Sequence, residues 1–469
     1  MWHDSRRNFL KLSASGLIAT GGLAQTSLAQ QAGDRPAPLA GVTVENPRLR
    51  VPLSFIIDDS TCLVNLNKFS IPQFAEAWGK EGNFQQDWRS WPAEIPDSFV
   101  RKFGEWSAEN GVKGKYSIVP YPACVGRMDR LLPGWTRREL DDSLKLVREL
   151  MLPNWDIHPE MVTHTWVIDT KTGQPAPERT LDYQENWNWT NGRSVDELAD
   201  YMSYALQILK NAGLPCEGVT TPGGFAVRVL PELSQATLQA CRDVFQAEIP
   251  HYFRHLYDSG EQSVAPRVEN AAGLDTDDPR CVVSIVGCTG DWTGGWDCTT
   301  RGDVDRFITA DLQQGRMVDV IERGEPACMV CHWTGIYYNG EEEGFRTFQE
   351  VVGRLHSRYD HLSWMKLSEI ARYWAAKELT QFRAPNSEQS NQLSGGHVEI
   401  DAPFATPLFT VRIATLATRF KLTSSDGKQM EFRRVGNSNA LESGCWLGDA
   451  ESAVVCFDLP RGKSTIQLL

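Results

Sequence analysis

PLSFIIDDSTCLVNL, residues 52–66, is the stretch whose reading decides the fold. Its apolar run, 53–57, has the length and composition of a core strand and delivers two adjacent carboxylates, Asp58 and Asp59, to the strand end. Side chains alternate along a strand, so neighbouring acids diverge unless the chain turns between them. Divergence lets one acid bind a metal while the other takes a proton. Asp-Asp-Ser is equally an ordinary set of turn-forming residues, so the histidines further along decide between the two readings.

Working outward, the pattern around this strand repeats. Strand-like segments at 112–119, 155–167, 216–220, 245–253, 281–286 and 327–332 alternate with helical spacing at 98–110, 136–150, 194–211, 233–244, 304–323, 345–356 and 366–376. Thr136 followed by Glu139 is a capping-box pattern. Strands alternating with helices of ten or more residues imply parallel pairing through helical crossovers, hence an α/β sheet or, with seven or so repeats, a barrel. Composition changes after residue 380. A polar linker, 381–396, leads into short alternating segments over 397–469 that predict a small all-β domain, and 30–48 is a Pro- and Gly-rich lead-in to a barrel spanning 49–380.

The chain has 469 residues and a formal net charge of −13, from 60 acidic and 47 basic residues, which argues against nucleic acid as a partner because phosphate binding needs a basic surface. The first 29 residues carry Arg6 and Arg7 ahead of a mildly apolar segment and a small-x-small end at Ser27-Leu28-Ala29. Ser5-Arg6-Arg7-Asn8-Phe9-Leu10-Lys11 resembles a twin-arginine export signal. That resemblance implies the twin-arginine translocation machinery as a partner, a periplasmic or secreted location and no stable membrane anchor. Eleven cysteines leave disulfide pairing open.

Three further stretches can carry chemistry. In Trp155-Asp156-Ile157-His158-Pro159-Glu160-Met161-Val162-Thr163-His164, two imidazoles share one face if the segment stays extended; imidazole and carboxylate suit zinc. Thr221-Pro222-Gly223-Gly224 is a turn whose glycines let backbone approach a ligand. The segment 327–332 ends in His332-Trp333 and contains Cys328-Met329-Val330-Cys331-His332, the spacing of c-type haem attachment. Haem attachment needs those groups on an accessible segment, and here they sit in a predicted core strand. Trp292 and Trp296, in GDWTGGWD, and Trp333 offer faces for sugar stacking or packing lids.

The order of acid pair, His-bearing strand, Pro-Gly turn and late strand ending in His resembles the polysaccharide deacetylase (NodB-homology) family over about residues 45–380. The resemblance implies a distorted (β/α) barrel that hydrolyses acetamido groups with a divalent metal. It assigns Asp58 as general base, Asp59 as metal ligand and His332 as general acid. Thr221, Pro222 and Gly223, with Trp292, Trp296 and Trp333, become substrate contacts. Two departures stand out. The family's metal histidines are usually four apart, and the residue four after His164 is Ile168, so His158 is expected to complete a zinc site with Asp59 and His164. The arginine often found ahead of the Pro-Gly turn is replaced by Thr220 and Thr221. The expected activity is hydrolysis of a C–N amide bond, chiefly carbohydrate N-deacetylation. A carbohydrate-binding protein that has lost turnover is the alternative.

Overall fold

The computed structural model describes residues 31–59, 67–79, 83–384, 393, 396–448 and 451–469. The export signal, Cys62 and most of the 381–396 linker therefore lie outside the described residues. Among the described residues no helix is long and apolar enough to cross a membrane.

The decisive stretch forms β1 (Val51–Asp58), all eight residues buried. Parallel partners flank it: β2 (Gly114–Ile118), then β3 (Trp155–Pro159) beyond β2. A second sheet is built from β4 (Gly218–Thr220), β5 (His251–Leu256), β6 (Arg267–Ala272) and β7 (Arg280–Gly287). Its β4, β5 and β7 run parallel, and β6 is antiparallel on β7. Returning to β1, β8 (Ala327–His332) pairs in register from Ala327 opposite Leu53 to His332 opposite Asp58, and β9 (Leu362–Trp364) joins nearer the start of β1. The two sheets meet at both sides. Glu160 bridges Thr220 between β3 and β4, and Cys288 N donates to Cys328 O at 2.8 Å between β7 and β8.

The helices form where amphipathic spacing meets a cap. Arg137–Leu146 and Val195–Asn211 each open with a capping box, on Thr136/Glu139 and Ser194/Glu197, which satisfies backbone donors the first turn would leave orphaned. Three expected elements differ. The strand expected over 245–253 begins at His251, because the helix Leu230–Phe245 runs into its start and closes on Gln246 at φ 56°. The helix expected over 304–323 is two short helices, Val304–Phe307 and Arg316–Glu322, separated by Thr309 and Gln314 pairing with each other and by Gly315 at φ 117°. The strand expected over 155–167 stops at Pro159, because Met161 and His164 take left-handed backbone that no ladder continues through.

The C-terminal strands form two five-stranded sheets. One recruits Val42–Val44 from the lead-in, which pairs with Thr406–Ile413, and the other recruits Gln381–Arg383. The helix Leu367–Leu379 packs between these sheets and the central strands, placing Ile370 and Trp374 in one apolar cluster with Ile56, Phe253, Val411 and Phe457. Val42–Val44 and Gln381–Arg383 are thus strands of the C-terminal sheets, which pack on the central strands through the helix Leu367–Leu379.

Behind the second sheet, Glu269 of β6 is buried, accepting from Ser234 Oγ at 2.6 Å and Tyr252 OH at 2.8 Å. Burial pushes its carboxyl up to about 6 against the pull of those two hydrogen bonds. A raised folded-state value means the folded protein holds the proton more tightly. Its stabilising contribution is complete below the unfolded value and is lost as pH rises through about 6. Glu269→Gln should therefore gain on the wild type between pH 4.5 and 7.5, by about 2 kcal/mol. Melting temperatures of the two proteins at those pH values check this, and a difference independent of pH would refute it.

Candidate metal and acid–base site

Asp58 and Asp59 diverge because the chain turns between them. Asp58 keeps strand geometry, while Asp59 adopts φ 63°, an uncommon conformation for a side chain without a glycine's freedom. Asp58 Oδ1 receives a hydrogen bond from Lys115 Nζ at 2.7 Å, and Lys115 also donates to Ser117 Oγ at 2.7 Å. Burial pushes the Asp58 carboxyl above the usual carboxylate range, and the Lys115 ammonium opposes it.

The Asp59 carboxylate instead joins Glu160 and His164, whose ligating atoms all lie within 4.8 Å of one another. His164 Nε2 stands 3.5 Å from Asp59 Oδ1 and 3.5 Å from Glu160 Oε1. Glu160 Oε2 accepts from the Asp59 backbone N at 2.6 Å, which fixes the carboxylate and leaves Oε1 facing the cluster. Burial raises the Glu160 carboxyl, but His164, Lys115 and His332 outweigh it and hold the group down at about 2. A second buried acid, Glu185, organises the loop that carries His164. Its two oxygens accept from the backbone N of Val162, Thr163 and His164 and from Tyr201 OH at 2.5 Å. Those bonds anchor His164 in its left-handed conformation at φ 63°.

These residues fit a divalent cation. Two donors each about 2.1 Å from one ion in tetrahedral geometry lie about 3.4 Å apart, which matches the separations around His164. His164 Nε2 is buried and has no hydrogen-bond partner among the described residues. Two carboxylates and one imidazole suit a borderline or hard ion and leave coordination positions for water and substrate.

The fourth corner is His332, in register with Asp58 on the adjacent strand. Its Nδ1 lies 2.6 Å from Asp291 Oδ2, and its Nε2 lies 3.9 Å from Asp59 Oδ2. Asp291 is itself oriented by Thr293, whose Oγ1 donates to it at 2.9 Å. Cys328 and Cys331 are buried in β8, where burial raises both thiols well above their ordinary value, so neither offers the accessible thiol that haem attachment requires.

Several expected positions need correcting. His158 does not join Asp59 and His164. Alternation puts it on the same face as Glu160 but one layer deeper, where its Nε2 meets His251 Nε2 at 2.9 Å and its Nδ1 lies 3.3 Å from Thr220 Oγ1. Burial, then the neighbouring His251, holds it well below its usual value and neutral. The pair fits only because residue 218 is glycine: a Cβ there would lie 2.6 Å from one ring nitrogen and 2.7 Å from the other. Trp333 is fully buried and packs edge-on against Phe103 and Tyr116, so it offers no face to a substrate. Trp292 is packed between Phe307 and the Arg306 guanidinium, 4.1 Å from its ring centroid. Trp296 is half-buried and stacked on Trp91 at 5.3 Å. Thr221 donates its hydroxyl to Phe253 O at 3.3 Å, Pro222 is buried beside it, and Gly223 takes φ 44° under the turn.

Glu160, Lys115, Glu185 and Asp291 were not singled out from sequence. Glu160 had a signal: it precedes His164 by four, the spacing sought only in the forward direction. Asp291 sits inside the Trp/Gly loop already noted, whereas a lysine in a strand and a glutamate in a loop carry no signature.

No family model and no curated protein matches the chain. Solved structures with a detectable likeness include a probable polysaccharide deacetylase from Pseudomonas aeruginosa PAO1, at 12% identity and TM-score 0.37, covering 69% of this chain and 91% of that one. Puue allantoinase is similar at 13% identity and TM-score 0.39, covering 77% and 98%. A putative glycoside hydrolase/deacetylase from Parabacteroides distasonis is similar at 11% identity and TM-score 0.40, covering 85% and 86%. At that level of likeness no activity transfers, and the chemistry of the site stands on its own residues.

Proposed function

We propose that this chain is an exported, metal-dependent hydrolase that cleaves the C–N amide bond of an acylated amine, with carbohydrate N-deacetylation as the leading reaction. The observation that carries it is the register of Asp58 opposite His332 beside the Asp59, Glu160 and His164 cluster. Amide hydrolysis needs one group to take a proton from water and another to give one to the departing amine, and these two strand ends supply both. Seven of the parallel strands, β1–β5, β7 and β8, are read as halves of a distorted barrel, and the twin-arginine-like leader as its route of export.

Asp59, Glu160 and His164 would hold the cation, which when bound supplies Lewis acidity toward the acyl oxygen and lowers the pKa of water. Asp58 accepts the water proton at its carboxylate, with Lys115 holding that oxygen in place. His332 presents Nε2 to the leaving nitrogen, and Asp291 on Nδ1 fixes the ring orientation and the tautomer. The competing reading, a binding protein that has lost turnover, draws on the histidine spacing that departs from the family's pattern. Glu160 supplies the third donor beside Asp59 and His164, which supports turnover.

The test is acetate release from N-acetylglucosamine oligomers by the full chain. His332→Ala should lower turnover about 10²- to 10⁴-fold while metal content stays unchanged. Full activity in that variant would remove the assignment.

A further inference from the structure

Three cationic side chains are buried among the described residues: Lys115 at 0% exposure, Arg316 at 6% and Arg254 at 7%. Burying a charge is costly unless partners replace the water it loses. Lys115 has Asp58 and Ser117. Arg316 donates from Nε to Cys288 O at 3.0 Å, from Nη1 to Gly260 O at 2.6 Å and from Nη2 to Tyr257 O at 2.8 Å, so its fork is spread over three carbonyls. Among the described residues Arg254 makes one hydrogen bond, from Nη1 to Gly223 O at 2.9 Å, and has no ion pair with a carboxylate. Burial pulls its guanidinium down to about 10, opposed only by Tyr252.

The backbone register places this residue toward the strand ends, beside the Pro-Gly turn. The β5–β7 ladder pairs Phe253 with Ile285 and His255 with Val286, so Arg254 is an extra residue in a bulge. Bulges re-aim a side chain and recur beside active sites. Phe253, one residue earlier, is level with Thr220, and Thr220 bridges Glu160. Arg254 therefore stands at the same strand ends as the acid cluster, tied to the Pro-Gly turn by the Gly223 carbonyl. In a chain of net charge −13, that is a local exception.

We propose that Arg254 recognises an oxyanion on the substrate, so that the hydrolase acts on acylated amines that also carry a carboxylate or phosphate. The inference rests on the hydrolase reading for the word substrate, and the binding site itself does not. A guanidinium fork offers parallel donors that match either oxyanion, and among the described residues only Nη1 of Arg254 is engaged.

The test measures binding to the full-length wild type, Arg254→Met and Arg254→Lys with three probes: N-acetylglycine, N-acetyl-O-phosphoethanolamine and the neutral N-acetylglycinamide. The wild type should bind one anionic probe at least about tenfold more tightly than the neutral one, the size of one charge-assisted hydrogen bond. Which anion wins separates carboxylate from phosphate. Arg254→Met should erase the preference and melt no lower than the wild type, since an apolar side chain of similar length removes an uncompensated buried charge. Arg254→Lys should keep part of it. Absence of anion preference in the wild type, its persistence in Arg254→Met, or a lower melting temperature or misfolding in that variant would each overturn the proposal. Anion preference without acetate release would leave Arg254 its role and remove the hydrolase, whereas equal release from all three probes would do the reverse.

Discussion

Glu160→Gln should lower the affinity of the chelator-stripped protein for a divalent cation by more than about 100-fold, beyond the 10- to 100-fold typical of losing a residue that merely supports a ligand. His158→Gln should leave that affinity unchanged. The contrast is sharp because the two residues share one face of the chain and differ only in depth. Glu160 Oε1 lies 3.5 Å from His164 Nε2, whereas the His158 ring is engaged with His251. Losing the His–His contact should instead cost stability, about 1–3 kcal/mol if His251 is left unpaired. Titration calorimetry with zinc and with manganese on both variants reads the first effect, and melting temperature reads the second. Weak metal binding in His158→Gln with normal binding in Glu160→Gln would restore the ligand set expected from sequence and remove the one built on geometry.

Lys115→Met should destabilise the protein by about 3–5 kcal/mol, the range for breaking a buried pair by removing one partner, because Asp58 is then buried without its cation. Turnover should fall in the same variant. Adding Asp58→Asn should restore most of the stability, since no uncompensated charge remains, and should leave turnover absent. The double variant thus separates the structural cost of a buried charge from its chemical use. Urea unfolding of the two single variants and the double variant gives the coupling. If Lys115→Met unfolds like the wild type, Lys115 is not the partner of Asp58, and the base has no fixed cation.

Much was legible from residues 52–66 outward because those signals are local. An apolar run followed by two acids makes a strand end, amphipathic spacing with a capping box makes a helix, and the alternation of the two makes a parallel α/β arrangement. His332 at the end of β8 and Asp58 at the end of β1 came from that same logic, since each sits where its strand runs out. What sequence could not order was depth and pairing. Alternation states that His158 and Glu160 share a face, and only the packed strands show which of them reaches the rim and which meets His251 below it. Lys115 became the partner of Asp58 because β2 lies beside β1, a contact between residues 57 positions apart that leaves no trace in either segment. On sequence alone Trp333 offers a stacking face or a packing lid; the helix that starts at Trp333 sets it among Phe103 and Tyr116. Local chemistry is written in neighbouring residues, whereas a site is assembled from strand ends that meet only when the sheets close on one another.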